Sequence, residues 1–369
     1  MEREFFEVRV RGKETRVPCR HIDGKTVIVL GKWLRMARVH EEEWMQGQVV
    51  ADPKAFVAEL KRQRLPAHIF TFIQKPPHSE PQFRHHFDWD NFATIHIKNF
   101  DDWWEKLPQE SRKNTRRAAK RGVTVRTVDL DDALVQGITE IYNETPIRQG
   151  KPFPHFGKSF DAIKREVSTM MDRSGFIGAY HGNELIGFIK LVYMGNIASI
   201  LHIVSRNAHY DKRPTNALLT KAVEICSQKG IAYLLYGRYT YGKKTSSPLI
   251  EFKKRNGFEE VRVPRYYVPL TFWGRIAVGL RLYRGLIGLL PSPVVNLLVN
   301  IRSKFFIKSS ANASTAEKSA DNHPVNEPSR RSKIAPKENK VSEEKELKNS
   351  SGQRNLRPQN AGVAQRQSG

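Results

Sequence analysis

The alternation of apolar and polar positions is clearest between residues 175 and 270. Three apolar runs are separated by Gly182-Asn183 and Gly195-Asn196, dipeptides that tolerate the positive φ of a tight hairpin. After them, apolar residues recur every three or four positions, which indicates an amphipathic helix. The patterns predict strands at 175–180, 184–193 and 197–205, a helix at 215–229, a strand at 233–239, a helix at 248–256 and a last strand ending at Pro269.

The chain before this region divides into a helical part and a β-rich part. A strand at 123–128 and helices at 132–144 and 160–173 precede the meander, and residues 101–122 read as one helix. Residues 1–100 favour strands, including 68–73 and 93–97. Asp23-Gly24 marks a hairpin, and Asp52 before Pro53 marks a helix start.

The order of meander, helix, strand, helix and strand resembles the acyl-CoA-dependent acyltransferases of the GNAT superfamily, over about residues 122–270. Within that superfamily the chain resembles the Fem-type peptidoglycan-bridge aminoacyltransferases and related FemAB-like proteins. The residues that carry this resemblance are Leu107, Arg112, Asn114, Arg116, Ala118, Gly122, Pro214, Ala217, Leu218, Leu219, Phe252, Lys253, Asn256, Gly257 and Phe258. The resemblance implies an α+β, GNAT-like fold: a mixed, mostly antiparallel twisted sheet flanked by helices. Fem-type proteins contain two such halves, so residues 1–100 would be a reduced first half.

The resemblance also implies an enzyme, an N-acyltransferase, with acyl-CoA (acetyl-CoA) as cosubstrate. GNAT enzymes hold the pyrophosphate of coenzyme A on a glycine-rich loop at a helix N-terminus. The matching stretch, 209–217, contains no glycine, and Pro214 has no N–H to donate. Because Fem-type proteins also lack that loop, aminoacyl-tRNA is the alternative donor. The residues expected to bind the donor are Ile203, Val204, Lys212, Arg213 and Asn216.

A proline-stiffened connection at 144–158 is the expected acceptor site, because in GNAT-like folds it borders the acceptor pocket. The substrate-binding candidates are Arg148, Gln149, Lys151, Tyr239 and Lys243. Arg148 and Lys151 suit a phosphate or carboxylate, and Glu144 or His155 could accept the proton of the attacking group. A rigid surface loop is the alternative interpretation.

Two further candidates for catalysis come from later strands. His202 shares a strand face with Ile200 and Val204, so it is either a core histidine or a second candidate base. GNAT enzymes often place a tyrosine beyond the next strand to protonate the departing thiolate. Tyr241 holds a comparable position, with Tyr239 as the alternative, and aromatic packing would explain either.

The net charge and the cysteine content limit the kinds of partner and cofactor to expect. The formal net charge is +24, which favours an anionic partner: nucleic acid, a membrane surface or a phosphorylated substrate. The basic second half of 101–122 could bind tRNA phosphates or lipid headgroups, or simply be solvated. Cys19 and Cys226 provide neither a disulfide framework nor a zinc spacing, so we expect no metal and a reducing cytoplasm.

The amino-acid composition of the C-terminal part changes twice, at about residues 271 and 309. Residues 271–308 are apolar and basic without one acidic residue, yet too interrupted to span a bilayer. They indicate two amphipathic helices, either at the inner face of the cytoplasmic membrane or packed on the protein itself with arginines outward. Residues 309–369 should be a disordered tail.

The sequence favours transfer of an acyl group to an amine or hydroxyl of a cell-envelope or polysaccharide precursor, such as a lipid-linked sugar. A non-catalytic GNAT-fold module that binds anionic lipid or RNA is the alternative from another class. The oligomeric state stays open.

Overall fold

The computed structural model describes residues 4–10, 13–148, 151–240 and 247–285. These described residues belong to one compact unit. The strands are β1 (Glu4–Val10), β2 (Lys13–Ile22), β3 (Lys25–Leu30), β4 (Met36–Val39), β5 (Ile69–Ile73), β6 (His86–His96), β7 (Val123–Val128), β8 (Ile147–Arg148), β9 (Lys151–Pro152), β10 (Ser174–His181), β11 (Glu184–Met194), β12 (Ile197–Ser205), β13 (Tyr233–Leu235) and β14 (Glu259–Pro269). The α-helices are α1 (Pro53–Arg62), α2 (Phe100–Lys106), α3 (Gln109–Lys120), α4 (Asp132–Asn143), α5 (Phe160–Val167), α6 (Pro214–Gln228), α7 (Pro248–Arg255) and α8 (Phe272–Gly279).

Twelve of the described strands form one sheet, in the order β1-β2-β3-β4-β5-β14-β6-β13-β12-β11-β10-β7. Its pairs are antiparallel except β4 with β5 and β12 with β13. The mixed, mostly antiparallel sheet expected from the sequence is therefore confirmed. Strands from both predicted segments interleave, since β14 lies between β5 and β6. The predicted domain boundary near residue 100 stays a prediction. Strands from both sides of that boundary belong to this one sheet.

Local signals account for several elements. Asp23 and Gly24 have φ values of 47° and 69°, and they join β2 to β3 as the dipeptide predicts. The Asp52 side chain accepts a hydrogen bond of 3.0 Å from the Ala55 N–H and caps α1. Gly182 and Gly195 also have positive φ, in the turns before β11 and β12.

Three predicted elements differ from the structure. Residues 101–122 form two helices, because Leu107 precedes a proline and adopts extended angles that end α2. The helix predicted at 160–173 ends at Val167, and a short 3₁₀ turn follows at Met171–Arg173. The strand predicted at 233–239 ends at Leu235.

Helices pack on both faces of the sheet. The apolar side of α6 is buried with strand residues such as Ile189 and Ile200. On the opposite face, α4 and α5 bury a second cluster that contains Tyr142 and Phe188. Both cysteines are buried and unpaired. None of the described helices is both long and apolar enough to cross a membrane.

Candidate active site

A cavity of about 390 Å³ opens where β12 and β13 diverge. The two strands pair in parallel over three residues only, as far as Ser199 and Leu235. Beyond that point Tyr236 and Gly237 stay hydrogen-bonded to Ala93 on β6, so the chain follows β6 away from β12. The divergence creates a slot between the two halves of the sheet. The lining residues are Arg148, Phe153, Ile203, Val204, Ser205, Asn207, Tyr210, Arg213, Pro214, Thr215, Asn216, Tyr236, Pro248, Leu249 and Phe252.

The cavity wall formed by β12 has two unusual backbone features. The register against β11 shifts, because Lys190 faces His202 whereas Leu191 faces Ile200. Leu201 is therefore a bulged residue, and a bulge re-aims the backbone around it. In addition, residues 200–205 have no strand partner on their cavity side among the described residues. Such an edge can hydrogen-bond an extended ligand arm.

The N-terminus of α6 opens at the same cavity. Arg213 precedes the helix with φ 57°, and Pro214 occupies the first helical position. The hydroxyls of Ser205 and Thr215 are hydrogen-bonded at 2.8 Å and tie the helix start to β12. Since a helix N-terminus carries partial positive charge, this end of the cavity favours an anion.

Two arginines reinforce that preference. The Arg213 guanidinium lies 5.0 Å from the ring centre of Tyr210, and its buried Nε has no hydrogen-bond partner in the described part of the chain. The Nε of Arg148 is also buried and unpaired there. Among the described lining residues none is acidic. The site therefore fits a ligand that combines an apolar arm with an anionic group.

Arg148 and Glu144 form a bracket around the end of β12. Arg148 donates hydrogen bonds to the backbone oxygens of Ile141 (2.6 Å) and Ser205 (2.7 Å), and to the Glu144 carboxylate (3.2 Å). Burial lowers the pKa of Arg148. Both oxygens of Glu144 also accept backbone N–H groups, from Asn207 at 2.7 Å and Ala208 at 2.9 Å. This carboxylate accepts three hydrogen bonds, and its role as a proton acceptor stays a prediction.

The two candidate histidines meet on the α4–α5 face, behind Phe153 and Val204. The Tyr142 hydroxyl and His202 Nδ1 are hydrogen-bonded at 3.1 Å, and the His155 and His202 rings are 6.0 Å apart. Burial lowers the pKa of His202 to about 4, so the ring is neutral at pH 7.

Two charged residues complete this cluster. His155 Nδ1 lies 3.1 Å from the Glu166 carboxylate and 3.0 Å from the Lys158 ammonium, which also contacts Glu166. His155, followed by Lys158, lowers the pKa of Glu166 to about 2 despite its burial. His155, Glu166 and His202 could together offer three metal-ligating atoms, but the ammonium already neutralises Glu166. We therefore interpret the cluster as an ion-paired network.

Five predicted binding residues line the cavity, namely Ile203, Val204, Arg213, Asn216 and Arg148. Their roles in donor or acceptor binding stay predictions. The lining includes none of the described catalytic candidates Glu144, His155 and His202, and three predicted binding residues also lie away from it. Lys212 is 3.8 Å from the Asp211 carboxylate, and Lys151 is exposed on the β8–β9 hairpin. Tyr239 lines a second pocket together with Trp103 and Lys254. Gln149, Tyr241 and Lys243 lie outside the described residues.

Sequence reasoning missed Glu166 and Tyr236. Glu166 lies three residues after the buried Ile163 in α5, which was the available signal that it points inward. Tyr236 lines the cavity, and the Lys253 ammonium lies 4.9 Å from its ring centre. Burial lowers the pKa of Lys253 to about 8.

No protein-family model and no curated protein matches the chain. Solved structures do. The chain is 12% identical to FemX, with a TM-score of 0.49 over 70% of this chain and 88% of that one. It is 11% identical to L-PGS from Bacillus licheniformis, with a TM-score of 0.46 over 74% and 89%. For a tandem GNAT protein from the clavulanic acid biosynthesis pathway the identity is 13% and the TM-score 0.38, over 70% and 83%.

FemX and the tandem GNAT protein bear the names of the two kinds of protein that the sequence resembles. At such identities and TM-scores, the reaction, the substrate and the role of each residue have to be argued from the site itself.

Proposed function

We propose that the protein is an acyltransferase that moves an acyl group from acyl-CoA to an amine or hydroxyl of a cell-envelope or polysaccharide precursor. The observation that carries the proposal is the divergence of β12 from β13, with a cavity whose described lining is apolar and cationic. An acyl thioester has matching parts: an extended arm for the free edge of β12 and phosphates for Arg213 and the start of α6.

The transfer needs little covalent chemistry from the protein. The acceptor nitrogen or oxygen attacks the thioester carbonyl, the carbon–sulfur bond breaks, and an amide or ester forms. The acceptor loses one proton and the departing thiolate gains one. Because both Glu144 oxygens accept hydrogen bonds, His155 is the proton acceptor in this proposal, and the Glu166 carboxylate 3.1 Å from its Nδ1 positions the ring. Tyr241 is the proposed donor to the thiolate.

Aminoacyl-tRNA is the second donor we consider, because α3 offers an exposed basic surface. Arg112, Lys113, Arg116 and Lys120 form no ion pair with any described residue. Pro214 also removes one N–H from the helix start that would hold a pyrophosphate. Phosphate contacts of this kind give binding that weakens steeply as salt rises.

Transfer of radiolabel from acetyl-CoA and from aminoacyl-tRNA, each supplied with extracted envelope precursors, separates the two donors. Arg213→Gln should weaken binding of coenzyme A about 10- to 100-fold, the equivalent of roughly 1.5–3 kcal/mol for a charge-assisted hydrogen bond. Arg62→Gln is the matched control, since Arg62 is exposed on α1 and pairs with Glu59. Equal binding by both variants would contradict the proposed donor site.

The acceptor can be identified by mass spectrometry of envelope precursors from cells with and without the protein. A mass increase equal to one acyl group that depends on the protein supports the proposal. If Tyr241→Phe, Glu144→Gln and His155→Ala all preserve the cellular product while loss of the α3 cations abolishes function, a non-catalytic binding module is the better explanation.

A further inference from the structure

Helix α8 is packed tightly on the sheet through one side. Gly274, Ala277 and Val278 are buried on this side, next to Ile69 of β5. A Cβ atom at Gly274 would lie 1.9 Å from the carbonyl oxygen of His68, so only glycine permits this approach. The orientation of α8 on the protein is therefore determined by close packing.

The opposite side of α8 is also apolar, although it faces solvent. Phe272, Ile276 and Leu280 follow one another at four-residue spacing, and Phe272 and Leu280 are 76% and 62% exposed. Trp33, in the loop before β4, is 64% exposed and meets the ring of Trp273 edge-on at 5.7 Å. We call Trp33, Phe272, Ile276 and Leu280 the α8 patch. A helix with apolar residues on both sides is expected to be covered on both.

The surroundings of the α8 patch are cationic. Segments 31–35 and 271–281 contain Lys32, Arg35, Arg275 and Arg281 and no acidic residue. All four side chains are exposed, and none of them forms an ion pair with a described residue. Exposed aromatic and aliphatic side chains among cations are the composition that binds the headgroup region of anionic bilayers.

We propose that the α8 patch is a peripheral docking surface for an anionic phospholipid bilayer. Charge complementarity favours the bilayer over a second copy of this chain, because each copy carries +24 and the cationic patches would face each other. The chain that follows, residues 286–308, again combines apolar residues with arginine and lysine and has no acid. Docking through α8 and the 31–35 loop would hold the protein at the membrane surface, where lipid-linked acceptors are found.

The test uses the full chain and co-sedimentation with vesicles of phosphatidylcholine alone or with about one third phosphatidylglycerol. Binding is expected only to the anionic vesicles, and it should weaken at about 0.5 M salt. The double variant Phe272→Ser/Leu280→Ser should bind at least tenfold more weakly. The double variant Arg275→Gln/Arg281→Gln should also lose affinity, about fivefold for each cation removed.

Phe5→Ser is the matched control, because Phe5 is 47% exposed on β1 and lies outside the patch. Thermal unfolding verifies that each variant folds, and coenzyme A binding should be unchanged in all of them. A vesicle-induced blue shift of fluorescence that is lost in Trp33→Phe would place the loop in the interface.

Three outcomes would overturn the proposal. One is equal binding to both vesicle types. Another is anionic binding that survives both double variants, which would assign the attachment to residues 286–308 alone. The third is self-association, measured by sedimentation velocity without lipid, that Phe272→Ser/Leu280→Ser abolishes.

Discussion

Glu144→Gln separates a carboxylate that holds the cavity wall from one that accepts a proton. The native carboxylate accepts hydrogen bonds from Asn207 N–H, Ala208 N–H and Arg148. A glutamine has one oxygen, and its NH₂ group would face a donor. At least one backbone N–H would then lose its acceptor, and the ionic attraction to Arg148 would be lost.

The expected cost follows from those contacts. Hydrogen bonds to a charged group contribute roughly 1.5–3 kcal/mol each, and a half-buried pair is partly screened. We expect the free energy of unfolding to fall by about 2–4 kcal/mol. The matched control is Glu140→Gln, four residues earlier in α4, whose partner Arg206 forms a more exposed pair. The control should cost about 0.5 kcal/mol.

Urea unfolding of both variants gives the free energies, and the pH dependence of the transfer rate gives the catalytic role. If Glu144 is a positioning residue, Glu144→Gln lowers stability and donor affinity but keeps the acidic limb of the pH profile. Unchanged stability together with the loss of that limb would refute this reasoning and identify Glu144 as the base.

Three further outcomes follow from single side chains. The pKa of His202 is lowered from 6.5 to about 4, so between these pH values the unfolded chain binds more protons than the folded one. The free energy of unfolding should therefore fall by roughly 3 kcal/mol as the pH drops from 6.5 towards 4. Urea unfolding at several pH values measures this slope, and His202→Phe should remove it. Gly274→Ala forces α8 away from His68, so the free energy of unfolding should fall by about 1–3 kcal/mol. Amide hydrogen exchange in α8 should be faster than in the wild type. Arg148→Lys cannot donate to both backbone oxygens in the same geometry, and thermal unfolding together with coenzyme A titration should reveal a loss of both stability and affinity.

The elements around the meander could be predicted because their signals are local. Gly182 and Gly195 allow positive φ wherever they occur, and the apolar spacing of α6 buries one side of any helix that it forms. The break between α2 and α3 was also encoded locally, by Pro108, although apolar and basic residues on both sides favoured one continuous helix.

The candidate site depended on contacts between distant parts of the chain. The cavity exists because Tyr236 and Gly237 bond to β6, which the sequence places about 140 residues earlier. Glu144 accepts hydrogen bonds from the N–H groups of Asn207 and Ala208, which lie 63 and 64 positions later in the sequence. Glu166 meets His155 only after α5 packs.

Residue types and periods therefore determined which segments become strands and helices, since hydrophobic burial and backbone φ act over a few neighbouring residues. The tertiary structure decided which strand pairs with which, and thereby where the sheet opens and which donors each carboxylate meets. The packing of the whole sheet selects which strands pair, so no short segment of the sequence is enough to predict the pairing.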